Sequence, residues 1–363
     1  MVLTRAAQEF VGAITFEAVT GRRAYTGIFG AGNALDHIRL AHDAEIVILA
    51  PATADLLART AHGHADDLLT ACLLAATCPV LAVPAMNDRM WANLQTQRNV
   101  ALLREAGYEI LEPETGPLAV GEGSGPGRMP EPETILAHAG RVLDRDPALA
   151  GKKLVVTAGA TREPIDPVRF ISNHSSGLMG TAIAAAAWRR GAAVTLVAGH
   201  LEVAEPVGPK LVRAGTTVEM QVAVSEALRD ADALIMAAAP ADFTPAAHSS
   251  GKLSKAESAR SLELTLAPDI LATTTASRGR AVIVGFALET GDAERKGATK
   301  LASKSLDLIV VNDQNEPGAG FGGDTNRVTL LARDGHREEL PLMLKSELAD
   351  VLLDRVAGLI NGR

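Results

Sequence analysis

Lys152-Lys153-Leu154-Val155-Val156-Thr157-Ala158-Gly159-Ala160-Thr161-Arg162-Glu163-Pro164, continuing as Ile165-Asp166-Pro167-Val168-Arg169-Phe170-Ile171-Ser172-Asn173-His174-Ser175-Ser176-Gly177, decides the fold. Leu154 to Ala158 is an apolar run of strand length with no polar alternation, as expected of a strand buried on both faces. A long polar excursion then closes on Ser175-Ser176-Gly177, and an Ala-rich helical pattern follows. A loop at the carboxyl end of a strand, ending at a helix N-terminus, is where an open parallel sheet receives phosphates. The bland alternative is a helix cap with a decorated loop.

Outward from this segment, similar runs recur at Ile46 to Ala50, Val80 to Val83, Val194 to Ala198, Ala233 to Ala239, Val282 to Ala287 and Leu308 to Val311, with helical patterns between them. The alternation predicts an α/β protein with mainly parallel sheets covered by helices on both faces. The polar stretch Asp144-Arg145-Asp146-Pro147-Ala148-Leu149-Ala150-Gly151 breaks the series. It predicts two doubly wound, Rossmann-like domains, 1–147 and 148–363. Near the end, Arg327 to Ala332 and Arg337 to Leu340 flank an Asp334-Gly335 hairpin signal, and a helix is expected from Leu344 to Ile360. Met1 to Thr4 reads as the tail of a strand and Arg5 to Val11 as the helix after it. The first domain, flavodoxin-like, is therefore expected to lack its opening strand and loop, with a true start upstream as one explanation.

Composition narrows the function. The chain has 363 residues, 47% apolar, 21% charged and only 3% aromatic, so its cores must be built from Ala, Val, Leu and Ile. Thirty-five Lys and Arg against 43 Asp and Glu leave a net charge of −8 without a basic run, which argues against nucleic acid as a partner. Cys72 and Cys78 form neither a disulfide framework nor a CxxC site, and no apolar run reaches the ~18 residues of a membrane span. A cytoplasmic protein without membrane partners is expected. Generic nucleotide motifs fail in turn. Gly30-Ala31-Gly32-Asn33-Ala34-Leu35 has Leu where a dinucleotide fingerprint needs its third Gly. Gly121 to Gly127 is Gly-rich but leads to Arg128-Met129-Pro130 rather than a helix, and reads as a mobile loop or lid. A Walker A sequence ending at Gly251-Lys252 would need Gly at 246 and Ser or Thr at 253, where Ala246 and Leu253 stand.

The second half resembles the phosphopantothenate–cysteine ligase family. The motifs are TAGATREPIDPVRFISNHSSG (157–177), AAAPADF (237–243), the Lys252 segment with Lys255, GFALET (285–290), KLASKSLDLIVVND (300–313) and FGGDTNRVTLL (321–331). The resemblance implies that CTP and Mg2+ activate 4'-phosphopantothenate as an acyl-cytidylate, from which cysteine displaces CMP. Position by position it implies CTP contacts at Asp242, Lys252, Phe286, Lys300 and Lys304, with Met236, Ala237, Ala238, Pro268, Asp269, Ile270 and Leu271 lining the nucleotide. Asn173 would handle the acyl-cytidylate. The sequence departs from the family at Ala160, usually Gly, and at Leu178, usually Lys. By themselves, Lys300 and Lys304, four apart, would be a solvated helix face. No metal ligands can be named.

The first half resembles the flavin-dependent phosphopantothenoylcysteine decarboxylases, which stand ahead of the ligase in the bifunctional coenzyme A biosynthesis proteins. The landmarks are Asp36-His37-Ile38, Pro51-Ala52-Thr53-Ala54-Asp55, Ala65-Asp66-Asp67-Leu68-Leu69 and Pro84-Ala85-Met86-Asn87-Asp88-Arg89-Met90-Trp91. The resemblance implies an FMN that oxidises the cysteinyl thiol, His37 as the catalytic histidine, Asn87 as the carboxylate's amide, and Pro51, Thr53 and Met90 on the substrate and flavin side. Without it, His37 is a helix-start residue, and Met86 and Met90 are core. Three departures argue against a working site: the missing flavin-phosphate turn, Asp55 in place of Asn, and Val120 in place of the reactive cysteine, since valine supplies neither proton nor thiol. Cys72 and Cys78 read as structural. The family's habits imply a homo-oligomer, dimeric through the ligase half and trimeric through the flavin half. The expected function is CTP-dependent ligation with an impaired decarboxylase domain. A fully bifunctional enzyme and a non-catalytic regulatory subunit are the alternatives.

Overall fold

The computed structural model describes residues 1–28, 35–253, 261–274, 277–289, 291–313 and 323–363. The Gly30 to Ala34 part of the fingerprint test, Lys255 and Phe321 lie outside them. The chain divides into two compact units, Met1–Leu143 and Asp144–Arg363. Asp144 and Asp146 join the second unit because they form ion pairs with Arg189 and Arg190 there.

In the first unit, helices α1 (Arg5–Gln8), α2 (Ala13–Thr20) and α3 (Asp36–His42) lead to strand β1 (Val47–Ala52). Then come α4 (Ala54–Ala61), α5 (Leu68–Ala75), β2 (Val80–Pro84), α6 (Asp88–Ala92), α7 (Leu94–Glu105), β3 (Glu109–Ile110), the strands β4 (Glu114–Pro117) and β5 (Ser124–Arg128), and α8 (Pro132–Leu143). The sheet β1-β2-β3 is parallel. Every residue of β2 is buried, as expected for a strand covered on both faces. Two sequence expectations are corrected here. The first helix stops at Gln8 rather than Val11, and a second begins at Ala13 after Gly12. The Gly-rich stretch is a hairpin: Ser124–Arg128 pairs with Glu114–Pro117, and Gly121 and Gly123 take positive φ in the turn. Gly127 is required by contact, because a Cβ there would lie 2.1 Å from the Met86 carbonyl oxygen.

The second unit runs β6 (Lys153–Ala158), β7 (Arg162–Pro164), β8 (Phe170–Ser172), α9 (Leu178–Arg189), β9 (Ala193–Ala198), β10 (Lys210–Arg213), α10 (Thr217–Leu228), β11 (Ala233–Met236), β12 (Phe243–Pro245), β13 (Leu264–Leu266), α11 (Ile270–Thr274), β14 (Val282–Glu289), α12 (Ala293–Ser303), β15 (Leu308–Asp313), β16 (Thr325–Ala332), β17 (Arg337–Leu344) and α13 (Lys345–Asn361). Its eight-stranded sheet has the order β10-β9-β6-β11-β14-β15-β16-β17. The first six strands are parallel, and the last two form the expected antiparallel hairpin. Renumbered in chain order, the parallel part reads 3-2-1-4-5-6, and the winding reverses between β6 and β11. An open sheet has its ligand crevice at such a reversal, beyond the carboxyl ends of its strands.

Two apolar layers sandwich this sheet. One joins β6, β9 and β14 to α9 and α13 through Ile183, Leu196, Val284, Leu352 and Val356. The other joins the opposite face to α10 and α11 through Val155, Met220, Leu234, Ile270 and Ile283. These are aliphatic cores, as the low aromatic content requires. Strand β11 is shorter than its apolar run, because it ends at Met236 and the Ala238 amide donates to the Thr157 hydroxyl instead of the ladder. Both doubly wound units are thus α/β with mainly parallel sheets.

Candidate functional site

The turn after β11, Ala237 to Asp242, is held by groups from the loop after β6. The Thr157 hydroxyl accepts from the Ala238 amide at 3.0 Å, and the Ala239 amide donates to the Gly159 carbonyl at 2.8 Å. The Asn173 Nδ2 donates to the Pro240 carbonyl at 2.9 Å, and the Ala241 amide donates to the Thr161 hydroxyl at 2.9 Å. Asn173 and Asp242, drawn from sequence segments far apart, are therefore brought together at the β6/β11 reversal, and both are exposed. Ala160 is buried and bridges to Ala239 and to His200, so its methyl group is accommodated.

The loop from Ser175 to Gly177 approaches the sheet closely. Gly177 has φ 82, and a Cβ on Gly180 would lie 2.5 Å from the Thr157 carbonyl oxygen. Helix α9 can therefore start against β6 only with Gly at that position. Ser175 and Ser176 hydroxyls accept from the amides of Gly177 and Leu178 at 3.3 and 3.4 Å.

The remaining predicted nucleotide residues fall into a second group, linked to the first through backbone. The Ala267 amide donates to the Asp242 carbonyl at 2.9 Å, which sets Pro268 and α11 beside the turn. Asp269 accepts the Lys304 ammonium at 3.2 Å, and Glu289 accepts that of Lys300 at 2.6 Å. Both lysines are thus paired with carboxylates. Glu289 sits inside the GFALET segment, but nothing in the sequence alone announced it as a lysine partner. Met236 and Ile270 are buried, and Ala238 and Leu271 pack on the α10 and α11 layer. Phe286 instead packs on the α9 and α13 layer, the opposite face of the sheet.

Lys252 is exposed, on a segment fastened to the β7–β8 hairpin. Asp166 Oδ2 accepts from the Leu253 amide at 3.2 Å, and Arg169 donates to the Leu253 carbonyl at 2.7 Å. Burial pushes the Asp166 carboxyl pKa up, but the amides of Val168, Arg169 and Leu253 and the Arg169 guanidinium outweigh it and hold the group well below the usual carboxylate range. Among the described residues no bond links the Lys252 ammonium to Asn173 or Asp242. A cleft of about 370 Å³ is lined by Asp292, Glu294, Arg327, Thr329 and Glu339, against β16, three strands along the sheet from β11. It is separate from this site.

In the first unit, the carboxyl ends of β1 and β2 lie side by side, Ala52 opposite Pro84. Pro51 is the penultimate residue of β1, Thr53 follows that strand, and Asn87 follows β2. The Thr53 hydroxyl caps α4 by accepting from the Leu56 amide at 3.2 Å, and Asn87 Oδ1 caps α6 by accepting from Arg89 at 2.9 Å. His37 lies in the first turn of α3, after Asp36, which is buried and paired with Arg39 at 2.9 Å. Met90 is half exposed, which corrects its reading as core, whereas Met86 packs on the core. Val120 is fully exposed in the β4–β5 turn. Cys72 is buried, with its thiol pKa pushed up by burial, and both cysteines are free. No helix among the described residues is long and apolar enough to cross a membrane.

Comparison with known proteins accords with these two units. Residues 1–143 match the family described as "Flavoprotein", and residues 149–359 match "DNA/pantothenate metabolism flavoprotein C-terminal domain". The coenzyme A biosynthesis bifunctional protein CoaBC of Mycobacterium tuberculosis (strain ATCC 25618 / H37Rv) is 46% identical over 378 residues, covering 100% of this chain and 90% of the relative. That of Bacillus subtilis (strain 168) is 42% identical over 364 residues, covering 99% and 89%. The crystal structure of the C-terminal domain of a CoaBC protein superposes with a TM-score of 0.52 at 35% identity, covering 60% of this chain and 99% of that one. With full-length identity at this level and both halves matched in order, the chain belongs to the family of the bifunctional coenzyme A biosynthesis proteins.

Proposed function

We propose that the second unit joins 4'-phosphopantothenate to cysteine at the expense of CTP, and that the first unit keeps a decarboxylase architecture whose final protonation is impaired. The observation that carries the ligase reading is the Asn173–Pro240 bond beside Asp242, at the reversal of a 3-2-1-4-5-6 sheet.

A carboxylate is a poor acyl electrophile until it gains a leaving group. Here the acid's oxygen attacks the α-phosphorus of CTP and pyrophosphate departs. The amine of cysteine then attacks the acyl carbon, CMP departs, and the amine loses a proton. Lys300 and Lys304 exchange Glu289 and Asp269 for phosphate oxygens, and Lys252 adds a third cation from its tethered segment. Asn173 gives one amide N–H to Pro240 and retains a second, which reaches the acyl oxygen as negative charge develops there. The backbone of Met236 to Ala238 and Pro268 to Leu271 lines the nucleotide.

No group of three His, Cys, Asp or Glu among the described residues is placed to hold a metal by itself. A magnesium ion fits as the companion of the triphosphate, with exposed Asp242 as its carboxylate, because Mg2+ is commonly held by one or two carboxylates plus substrate phosphates. Bound there, it would neutralise charge on the transferring phosphoryl group.

In the first unit a flavin fits against the exposed Pro51 and Met90 beyond β1 and β2, where it would accept the electrons of thiol oxidation. Asn87 and His37 are suited to the substrate carboxylate. Asp55, exposed at the start of α4, adds like charge near it, and Val120 has no proton to give. Exposed apolar residues on the two hairpins of the second unit, Phe170, Phe243 and Leu266, suit contact with a second copy, and those on α2 suit oligomerisation of the first. The free cysteines accord with a cytoplasmic setting.

The purified chain, given Mg2+, CTP, 4'-phosphopantothenate and cysteine, is expected to form equal amounts of CMP, pyrophosphate and amide product. Amide formation with ATP but not CTP, or none at all, refutes the reading. Release of at most one CO2 per bound flavin from phosphopantothenoylcysteine, without turnover, separates it from a fully bifunctional enzyme.

A further inference from the structure

Beneath the turn that carries Asp242 lies a buried polar chain that none of the roles above uses. Thr161, Glu163 and Thr217 are almost entirely shielded from solvent. Glu163 Oε1 accepts from both the amide and the hydroxyl of Thr217, at 2.8 and 2.9 Å. The hydroxyls of Thr217 and Thr161 are 2.9 Å apart, and the Thr161 oxygen accepts from the Ala241 amide at 2.9 Å.

The proton order follows from the chemistry of the groups. Thr217 has one hydroxyl proton and two acceptors, Glu163 at 2.9 Å and the Ala241 carbonyl at 3.3 Å. The carboxylate is nearer and charged, so it takes the proton. Thr161 must then donate to Thr217, which leaves its lone pairs for the Ala241 amide. The chain thus runs one way, from the amide beside Asp242 to a carboxylate at the first turn of α10. That helix is itself fixed by a capping box between Thr216 and Glu219. The helix N-terminus favours the charge. The Ser172 hydroxyl also donates to the Thr161 carbonyl at 2.7 Å, so the same residue ties down the end of β8, next to Asn173.

We propose that Glu163 and Thr217, acting through Thr161, are positioning residues that fix Asp242 and Asn173 relative to each other. This rests on the ligase reading, and the test separates the two. In the full-length chain, Thr217→Val keeps the side-chain shape and removes the relay, while Thr217→Ser keeps the hydroxyl. With Mg2+ and CTP, Thr217→Val is expected to lower kcat about 10- to 100-fold, the effect of a misplacement near 1 Å, with the KM for CTP little changed. Hydrogen exchange at the Ala241 amide should quicken in parallel, and Thr217→Ser should restore both. Glu163→Gln keeps one acceptor oxygen while exchanging the charge and the other oxygen for an NH2 group, so it is the milder variant should valine compromise folding. It is expected to lose several-fold in kcat.

Unchanged exchange in Thr217→Val, faster exchange with unchanged kcat, or a serine variant as poor as valine each overturns the positioning role. A wild-type chain that makes no CMP sinks the ligase reading and the role together. A working wild type with an equally working valine variant sinks the role alone.

Discussion

Gly180→Ala sets two physical effects against each other, and the structure decides the sign. Gly180 lies in the first turns of α9, where Ala would ordinarily stabilise a helix by about 0.8 to 1 kcal/mol. Here the new Cβ would stand 2.5 Å from the Thr157 carbonyl oxygen and 2.6 Å from the Ala158 Cβ. The nearest atom is backbone of a central strand and cannot turn aside as a side chain could. Restoring ordinary contact requires α9 to move off β6 by roughly 1 Å, and overpacking of this kind costs about 1 to 3 kcal/mol. Net destabilisation of about 0 to 2 kcal/mol is expected. The same displacement carries Ser175 to Gly177 away from the crevice, so kcat should fall by up to about 100-fold. Urea unfolding of the second unit, followed alongside CMP formation, measures both. A variant stabilised by the full helix-propensity gain, with wild-type kcat, would refute the close packing of α9 on β6.

Three further outcomes follow from the site. Lys300→Met removes the nearer of the two ammonium groups on Glu289, at 2.6 Å against 3.6 Å for Lys296, and is expected to raise the KM for CTP more than it lowers kcat, as read from initial rates. Asp166 titrates below the usual range when folded, so its contribution to stability is present above the ordinary carboxylate pKa of about 4 and is lost as pH falls through the depressed value. Asp166→Asn should therefore flatten the acid limb of the wild-type urea-midpoint curve below about pH 5, and it should loosen the Lys252 segment, seen as faster exchange of the Leu253 amide. Val120→Cys, on the exposed β4–β5 turn, should raise flavin-dependent decarboxylation of phosphopantothenoylcysteine, measured as CO2, and leave amide synthesis unchanged.

The inner parallel strands were legible because residues buried on both faces must be apolar throughout, whereas the edge strands β3 and β10, with no buried residue, gave no such run. The β16–β17 hairpin was legible from Asp334-Gly335. The β4–β5 hairpin was not, since its strands contain Gly116, Pro117, Gly125, Pro126 and Gly127, all poor strand formers. It is held instead by close backbone approach to Met86. Strand β11 was read too long because Ala237 to Ala239 are as apolar as a strand, while the Thr157 hydroxyl that takes the Ala238 amide out of the ladder comes from another segment, and Ala239 returns only as an isolated bridge to Ala160. The site divides in the same way. Asn173 and Asp242 could be named from motifs, but Glu163 and Thr217 meet only in the folded chain, 54 residues apart, and no spacing encodes their contact.

The central claim is that an acid is activated by a cytidylyl group before any amine arrives. It is tested most directly by rapid mixing of the enzyme and Mg2+ with CTP and 4'-phosphopantothenate, cysteine withheld, while pyrophosphate is counted. The account predicts a burst approaching one pyrophosphate per site, then turnover only when cysteine is added. Pyrophosphate that appears without the acid, or only after cysteine is present, would contradict it.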